Sequence, residues 1–334
     1  MMEYIKLGHT GLSVSRLCIG TMTFGLQASK EESFKILDEA EAAGINFIDT
    51  ANVYPIGRTS FLESGKTEII IGEWLKGKRD KFVLVTKCFG VMGPGVDDKG
   101  LSRSAIHKAI DESLKRLQTD YIDIYLAHQF DPEVNLFETV SAFNELIDSG
   151  KVKHIGISNW RTWQIMKAKG IADLNRFVPF SVVEPRYNLL FRMIEDDLIP
   201  MCVEENIGII SYNPLAGGLL TGKYKKDSEP QEGTRFGLAA QTGSLYQERY
   251  WQAAQFEVVE DYRKWCIENH LDMTTTAVKW VLQQKGISSV IIGASKATQL
   301  KSSLDAVYMD DLSDEQLKWL DQLWYRLPRR NVLK

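Results

Sequence analysis

The sequence predicts a single closed (β/α)8 barrel, and three observations carry that prediction. Eight short runs rich in Val, Ile, Leu and Phe alternate with longer segments whose apolar residues recur at helical spacing, along most of the 334-residue chain. The turn after the first run, Gly20-Thr-Met-Thr-Phe-Gly25, lacks the GxGxxG spacing that a doubly wound dinucleotide-binding sheet places there. No linker divides the chain, so residues 1–334 are expected to form one barrel domain, a length such folds commonly reach.

Met1 to Arg16 is short and polar, with turns at Gly8 and Thr10-Gly11, and predicts a small β-hairpin capping something larger. Leu17 to Gly20 is the first strand, and Glu31 to Ala43 a helix that Gly44 ends. Ile45 to Ile48 is strand two, followed by a helix over Thr67 to Leu75. Phe82 to Val85 is strand three, with a helix over Ser102 to Leu117. Ile122 to Leu126 is strand four, with a helix over Leu136 to Asp148. His154 to Ile157 is strand five, with a helix over Trp160 to Lys169. Phe180 to Val183 is strand six, with a helix over Ile194 to Glu205. Ile207 to Ser211 is strand seven, and a long loop rich in Gly, Lys and Ser follows it; loops of that length are usually lids or binding loops. Tyr250 to Glu268 and Thr274 to Gln284 are expected to be helical, Val290 to Ile292 is strand eight, and Lys296 to Leu304 is the last barrel helix. Asp314 to Leu327 is an extra C-terminal helix.

Hydrophobic residues make up 44% of the chain and charged residues 25%, enough to bury a large core without disulfides or metals. A net charge of -4 gives no bulk attraction to nucleic acid or anionic membrane. The cysteines, Cys18, Cys88, Cys202 and Cys266, show no CxxC spacing, which fits reduced thiols and argues against structural zinc. No apolar run is long enough to cross a bilayer and the first residues carry no signal-peptide core, so a cytoplasmic protein is expected.

Barrel enzymes place their chemistry where the strands end. Strand two delivers Asp49, with Tyr54 beyond it in a Pro/Gly turn; strand three delivers Lys87, strand four His128, strand five Ser158 and Asn159, strand six Glu184, strand seven Tyr212, and strand eight Ala294 and Ser295. Singly, each has an ordinary explanation: an aspartate that caps a turn, a solvated lysine, a structural histidine, a tyrosine that packs a loop. Jointly they make a coherent set. A tyrosine with a pKa near ~10 is a poor acid at neutral pH, and a nearby ammonium lowers that pKa. A carboxylate keeps the lysine charged and oriented, and a neutral imidazole can donate to a substrate oxygen where negative charge develops. Such a set protonates a carbonyl oxygen while hydride attacks the carbon, and a cofactor must supply the hydride.

The segments Gly44-Ile-Asn-Phe-Ile-Asp-Thr-Ala-Asn-Val-Tyr54, Asp123-Ile-Tyr-Leu-Ala-His128, Gly150-Lys-Val-Lys-His-Ile-Gly-Ile-Ser-Asn159 and Ser211-Tyr-Asn-Pro-Leu-Ala-Gly-Gly-Leu-Leu-Thr-Gly222 make the chain resemble an aldo-keto reductase over essentially its whole length. The resemblance implies a barrel that uses NADPH or NADH, with Tyr54 as acid/base, Lys87 and Asp49 tuning it, and His128 orienting the carbonyl. It further implies that Ser158 and Asn159 hold the nicotinamide carboxamide and that Tyr212 stacks on the ring. Thr21, Met22, Asp49, Asn213, Pro214, Leu215 and Gly217 would line the cofactor, with Lys223 and Arg235 neutralising its phosphates. Gly293, Ser295, Lys296, Gln299 and Ser303 would receive the adenosine end, where a helix N-terminus beside Ser295 and Lys296 favours NADP over NAD.

Two positions depart from the family pattern. Glu184 stands where a glutamine is usual, next to the carboxamide and with Arg186 nearby to balance its charge. Ser302-Ser303 stands where Glu-Asn is usual, which weakens the expected adenine contacts. For the substrate pocket the candidates are Phe24, Tyr54, Phe89, His128, Gln129 and Trp160. His9, His107, His154 and His270 are read as structural, Cys88 as inert, and no metal is expected. The tail Arg326 to Arg330 is either a solvated end or part of the pocket mouth. Loops 88–100 and 213–250 do not single out a substrate: sugars, small aldehydes, pyridoxal and ketone secondary metabolites all fit. Oligomeric state is not legible in the sequence. A cofactor-bound regulatory subunit with vestigial turnover is the rival reading, since relatives of this barrel serve channels.

Overall fold

A computed structural model describes residues 2–57, 60–226, 228–238 and 240–328. The chain enters through an antiparallel ribbon, β1 (Tyr4–Lys6) and β2 (Ser13–Ser15), paired from Tyr4↔Ser15 to Lys6↔Ser13. Leu7 and Val14 are fully buried against the barrel interior with Cys18, Phe47 and Ile210. The ribbon lies so close to the start of β9 (Gly208–Tyr212) that a Cβ on Gly8 would stand 2.4 Å from the amide nitrogen of Gly208. The ribbon therefore plugs the amino-terminal end of the barrel, leaving the opposite end for chemistry.

The barrel strands are β3 (Leu17–Gly20), β4 (Phe47–Asp49), β5 (Val83–Cys88), β6 (Ile122–Ala127), β7 (Val152–Ser158), β8 (Val182–Glu184), β9 and β10 (Ile287–Gly293). They close in the order β10-β3-β4-β5-β6-β7-β8-β9, every pair parallel. Registers such as Gly20↔Asp49 and Ser158↔Glu184 bring polar strand ends level with one another at the carboxyl rim. The seam between the first and last strands is tied by Arg16, whose guanidinium donates to the carbonyls of Ile287 at 2.6 Å and Ser288 at 3.0 Å, and to that of Leu282.

The helices are α1 (Lys30–Ala42), α2 (Lys66–Leu75), α3 (Arg103–Leu117), α4 (Leu136–Asp148), α5 (Thr162–Asn175), α6 (Leu198–Glu204), α7 (Ala240–Tyr250), α8 (Ala253–Glu268), α9 (Met273–Gln283), α10 (Leu300–Asp305) and α11 (Asp314–Tyr325). Several begin on side-chain caps: Ser29, Ser102 and Asp272 accept from the amides of Glu32, Ala105 and Thr275. The larger hydrophobic cluster fills the layer between barrel and helices, and includes Trp74, Trp265 and Trp280. Glu68 of α2 is a fully buried acid in this layer, held by Arg116 Nε of α3 and Thr86 Oγ1 of β5, both at 2.7 Å.

Several boundaries differ from expectation: β8 starts at Val182, β7 and β10 are longer, and the helix expected from Ile194 begins as a 3-10 turn, Met193–Glu195, before α6. Ile45 and Asn46 lie before β4, because the Asn46 side chain accepts from Ser15 N at 2.8 Å and donates to Ser13 O at 3.0 Å, tying the ribbon to the barrel. The helix expected over Tyr250 to Glu268 is broken at Trp251, which packs against Tyr224, Phe236 and Phe256, so α7 belongs to the long loop and α8 to the barrel. α5 runs on to Asn175. The segment from Lys296 begins as a 3-10 turn, Ala297–Gln299, before α10.

Candidate active site

Asp49 is the last residue of β4, Lys87 the penultimate residue of β5, His128 follows β6, and Glu184 ends β8. Lys87 is wholly buried; its Nζ donates to Asp49 Oδ1 at 2.5 Å and to the Thr50 carbonyl at 2.9 Å, and stands 3.2 Å from Glu184 Oε2. Tyr54 sits in the loop after β4, its backbone bonded to Ala51 and Gly65 at 3.1 and 3.0 Å. Its ring centroid is 5.5 Å from Lys87 Nζ and 6.0 Å from the His128 ring, which meets it edge-on at 74°. The acid, phenol, ammonium and imidazole expected from separate strands thus occupy one place.

The electrostatics differ from the simplest expectation in one respect. Lys87 does pull the Tyr54 pKa down, but burial pushes it up more, and Asp49 and Glu184 add to the rise. The net shift is upward, so the phenol keeps its proton at neutral pH: it is a donor in the free protein. Burial opposes the charge on Lys87, yet Asp49 and Glu184 outweigh it and hold the ammonium above its ordinary range. Burial, with help from Lys87, lowers His128 to about 3, so the imidazole is neutral at any working pH. Burial and the neighbouring Asp49 raise Glu184 well above the carboxylate range, and burial also raises Asp49 against the pull of Lys87.

Glu184 therefore finds a different counter-charge from the one expected. It faces Lys87 and Asp49, while Arg186, its presumed counter-charge, lies with its guanidinium 3.5 Å over the Phe191 ring. Ser158 Oγ donates to the Glu184 carbonyl at 2.9 Å, Asn159 Nδ2 to Ser158 Oγ at 2.8 Å and to the His128 carbonyl at 3.1 Å, and Tyr212 OH to Asn159 Oδ1 at 2.6 Å. Four strand ends are thereby stitched into one polar rim.

A dinucleotide would find matching groups around that rim. Thr21 Oγ1 donates to the Asp49 carbonyl at 2.8 Å, and Met22 is half-buried beside it. Asn213 adopts φ 72° and its Oδ1 accepts from Gly217 N at 2.6 Å, shaping the turn through Pro214 and Leu215. Gly217 has φ 72°, and a Cβ there would lie 2.9 Å from the Tyr246 ring, so only glycine fits. Arg235 keeps a buried Nη1 without a partner, Lys223 is exposed, and both could meet phosphates. At the far end, the amides of Ser295 and Lys296 converge on Gln299 Oε1 at 2.9 and 3.3 Å, so two N–H donors point at one place, as anion sites require. Gly293 and Lys296 are exposed there, whereas Ser303 is buried in α10.

Among the pocket candidates, Tyr54 and His128 face each other, Phe89, which follows Lys87 and Cys88, is half-buried, and Gln129, next to His128 in sequence, is exposed. Phe24 is fully buried in the layer outside the barrel, and Trp160 is wedged between Phe130 at 4.9 Å and Phe180 at 5.8 Å. Sequence reasoning missed Leu238 and Tyr246 of the long loop. Leu238 lies against Gly57, where a Cβ would be 3.0 Å from it, and Tyr246 is near enough to raise the Tyr54 pKa. No local signal marks them, because only the folding of 213–250 back over the rim brings them there. Arg326 pairs with Asp261 at 2.8 Å; Arg329 and Arg330 lie outside the described residues. Among the described residues there is no metal-binding cluster, and no helix is long and apolar enough to cross a membrane. His9 bonds the Asn206 carbonyl at 2.9 Å and His107 bonds Glu145 at 2.8 Å, as structural histidines do.

The sequence profile of the Aldo/keto reductase family matches residues 16–325. The chain is 37% identical to "Uncharacterized oxidoreductase YrpG" of Bacillus subtilis over 97% of its length and 96% of that protein. It is 36% identical to "Probable voltage-gated potassium channel subunit beta" of Arabidopsis thaliana, covering 92% of this chain and 91% of that one. With "Protein tas" of Escherichia coli the identity is 32%, over 95% and 96%.

Proposed function

Given that the chain belongs to the aldo/keto reductase family, we propose that residues 1–334 are one catalytic domain that reduces an aldehyde or ketone to an alcohol with NADPH. The single observation that supports this best is the buried Lys87–Asp49 pair at 2.5 Å beside Tyr54, with His128 on the other side of the phenol. Bound NADPH supplies the hydride. Tyr54 donates the proton to the carbonyl oxygen. Lys87 stabilises the phenolate this leaves, and Asp49 holds Lys87 charged and aimed. Neutral His128 orients the same oxygen, because an imidazole that stays uncharged can donate without repelling Lys87.

Ser158, Asn159 and Tyr212 are proposed to hold the nicotinamide end, the loop through Leu215 and Gly217 the pyrophosphate with Lys223 and Arg235, and Ser295, Lys296 and Gln299 the adenosine end. The two amides that converge on Gln299 favour a 2′-phosphate, hence NADP, with NAD as the weaker ligand. Four buried free cysteines suit a reducing cytoplasm. The substrate is a small carbonyl compound; nucleic acid and membrane are not partners in this reading. Tyr54→Phe removes the proton donor and should lower carbonyl reduction by roughly 10²- to 10⁴-fold, while NADPH binding, followed by fluorescence, survives. Near-normal turnover would overturn the assignment. The relative named as a channel subunit favours a second reading, a cofactor-bound regulatory subunit. Tight NADPH retention with negligible turnover across a carbonyl panel would select it.

A further inference from the structure

Lys87 stands between two carboxyls, Asp49 Oδ1 at 2.5 Å and Glu184 Oε2 at 3.2 Å, and all three residues are buried. One ammonium balances one carboxylate. A second carboxylate there would carry an uncompensated charge in a water-excluded site, which is costly, or it must keep a proton. The geometry distinguishes the two acids. Asp49 has the shorter ion pair, accepting from Lys87 Nζ at 2.5 Å, whereas Glu184 Oε2 stands farther off at 3.2 Å and its carboxyl meets that of Asp49, an arrangement two ionised acids cannot keep. Among the described residues Lys87 is the one cation within ion-pair distance of Glu184.

The other groups facing it bring no compensation. Tyr54, from the loop after β4, and His128, after β6, are neutral, burial and the two acids keep the Cys18 thiol of β3 protonated, and Arg186 is turned onto Phe191. Ser158 of β7 donates to the Glu184 carbonyl and accepts from Asn159, and it makes no bond to the Glu184 carboxyl.

We propose that Glu184 is a positioning residue that works as a neutral acid: it shares its proton with Asp49, leaves Lys87 free to stabilise the Tyr54 oxygen, and withdraws that support when it ionises. The proposal rests on Tyr54 being the proton donor. Ionised Glu184 adds a negative charge beside Lys87 and opposes the phenolate that carbonyl reduction must form. Reduction should therefore fall at alkaline pH through a group that Glu184→Gln, close in size and shape but unable to ionise, removes.

Two measurements on the full chain test this, one of them independent of turnover. The first compares the melting temperature of wild type and Glu184→Gln without cofactor, from about pH 5 to about pH 9. An acid whose folded pKa is raised loses stability as pH rises above its unfolded value, so the variant's advantage should widen with pH. Parallel curves would overturn the neutral acid. The second is the pH profile of kcat for NADPH-dependent reduction of a simple aldehyde. The alkaline limb should move up by at least about one pH unit, or vanish, in the variant; an unmoved limb overturns the positioning role. Should Glu184→Gln fail to fold, Asp49→Asn serves: Glu184 is then the only carboxyl at Lys87, ionises as its partner, and the pH-dependent loss disappears. Persistence of that loss overturns the proposal. If Tyr54→Phe retains turnover, the functional reading falls, and the melting curves still decide the protonation of Glu184.

Discussion

Lys87→Met is the most informative perturbation of this site, because methionine replaces the lysine's bulk and removes only its charge and hydrogen bonds. The ammonium contacts Asp49 at 2.5 Å, the Thr50 carbonyl at 2.9 Å and Glu184 at 3.2 Å, with no exposure to water. Two routes give the magnitude. If Asp49 stays ionised, breaking a buried pair costs about 3–5 kcal/mol. If Asp49 takes up a proton instead, holding it about three pH units above an ordinary carboxyl pKa costs about 4 kcal/mol at pH 7. The two agree.

They also predict a pH dependence with a definite sign. The folded variant binds one proton more than folded wild type, so its deficit grows by about 1.4 kcal/mol per pH unit above roughly pH 4. The growth stops where the charged-Asp49 route becomes the cheaper. Near pH 4 the deficit shrinks to about 1 kcal/mol for the lost Thr50 hydrogen bond. Urea unfolding followed by tryptophan fluorescence at several pH values measures this directly. Adding Asp49→Asn should restore about 3 kcal/mol of the loss at pH 7. A deficit that does not change with pH, or a double variant no better than the single one, would refute the reasoning.

Arg116→Ala should cost about 3–5 kcal/mol, read as a drop in urea midpoint, because it strands Glu68 between α2 and β5 without a cation; Glu68→Gln added to it should recover most of that. Lys296→Ala should raise the dissociation constant for NADPH by about fivefold to tenfold, as an exposed phosphate contact does, and leave that for NADH unchanged; equal weakening of both would remove Lys296 from the 2′-phosphate.

Much of the site was legible because each group belongs to a strand end. Asp49, Lys87, His128, Ser158 and Glu184 follow short apolar runs, and the closed barrel makes strand ends converge whatever the loops do. Phe24 and Trp160 also follow strand ends, yet they pack outward into the layer beneath the helices, since position after a strand does not say which way a side chain turns. Leu238 and Tyr246 carried no signal, because a long loop reaches the rim only through tertiary packing.

By itself the sequence determined the strand count, the barrel class and the residue types at the rim, because hydrophobic periodicity and strand-end position are local properties of the chain. Only the tertiary structure decided how charge is shared among them. Lys87 was expected to lower the Tyr54 pKa, and at sequence level nothing opposes it; burial and two carboxyls around one ammonium reverse the sign. Glu184 was expected to have Arg186 as its balance, and the fold gives it Lys87 instead. Desolvation and distance set these balances, and neither exists until strands far apart in sequence have closed the barrel.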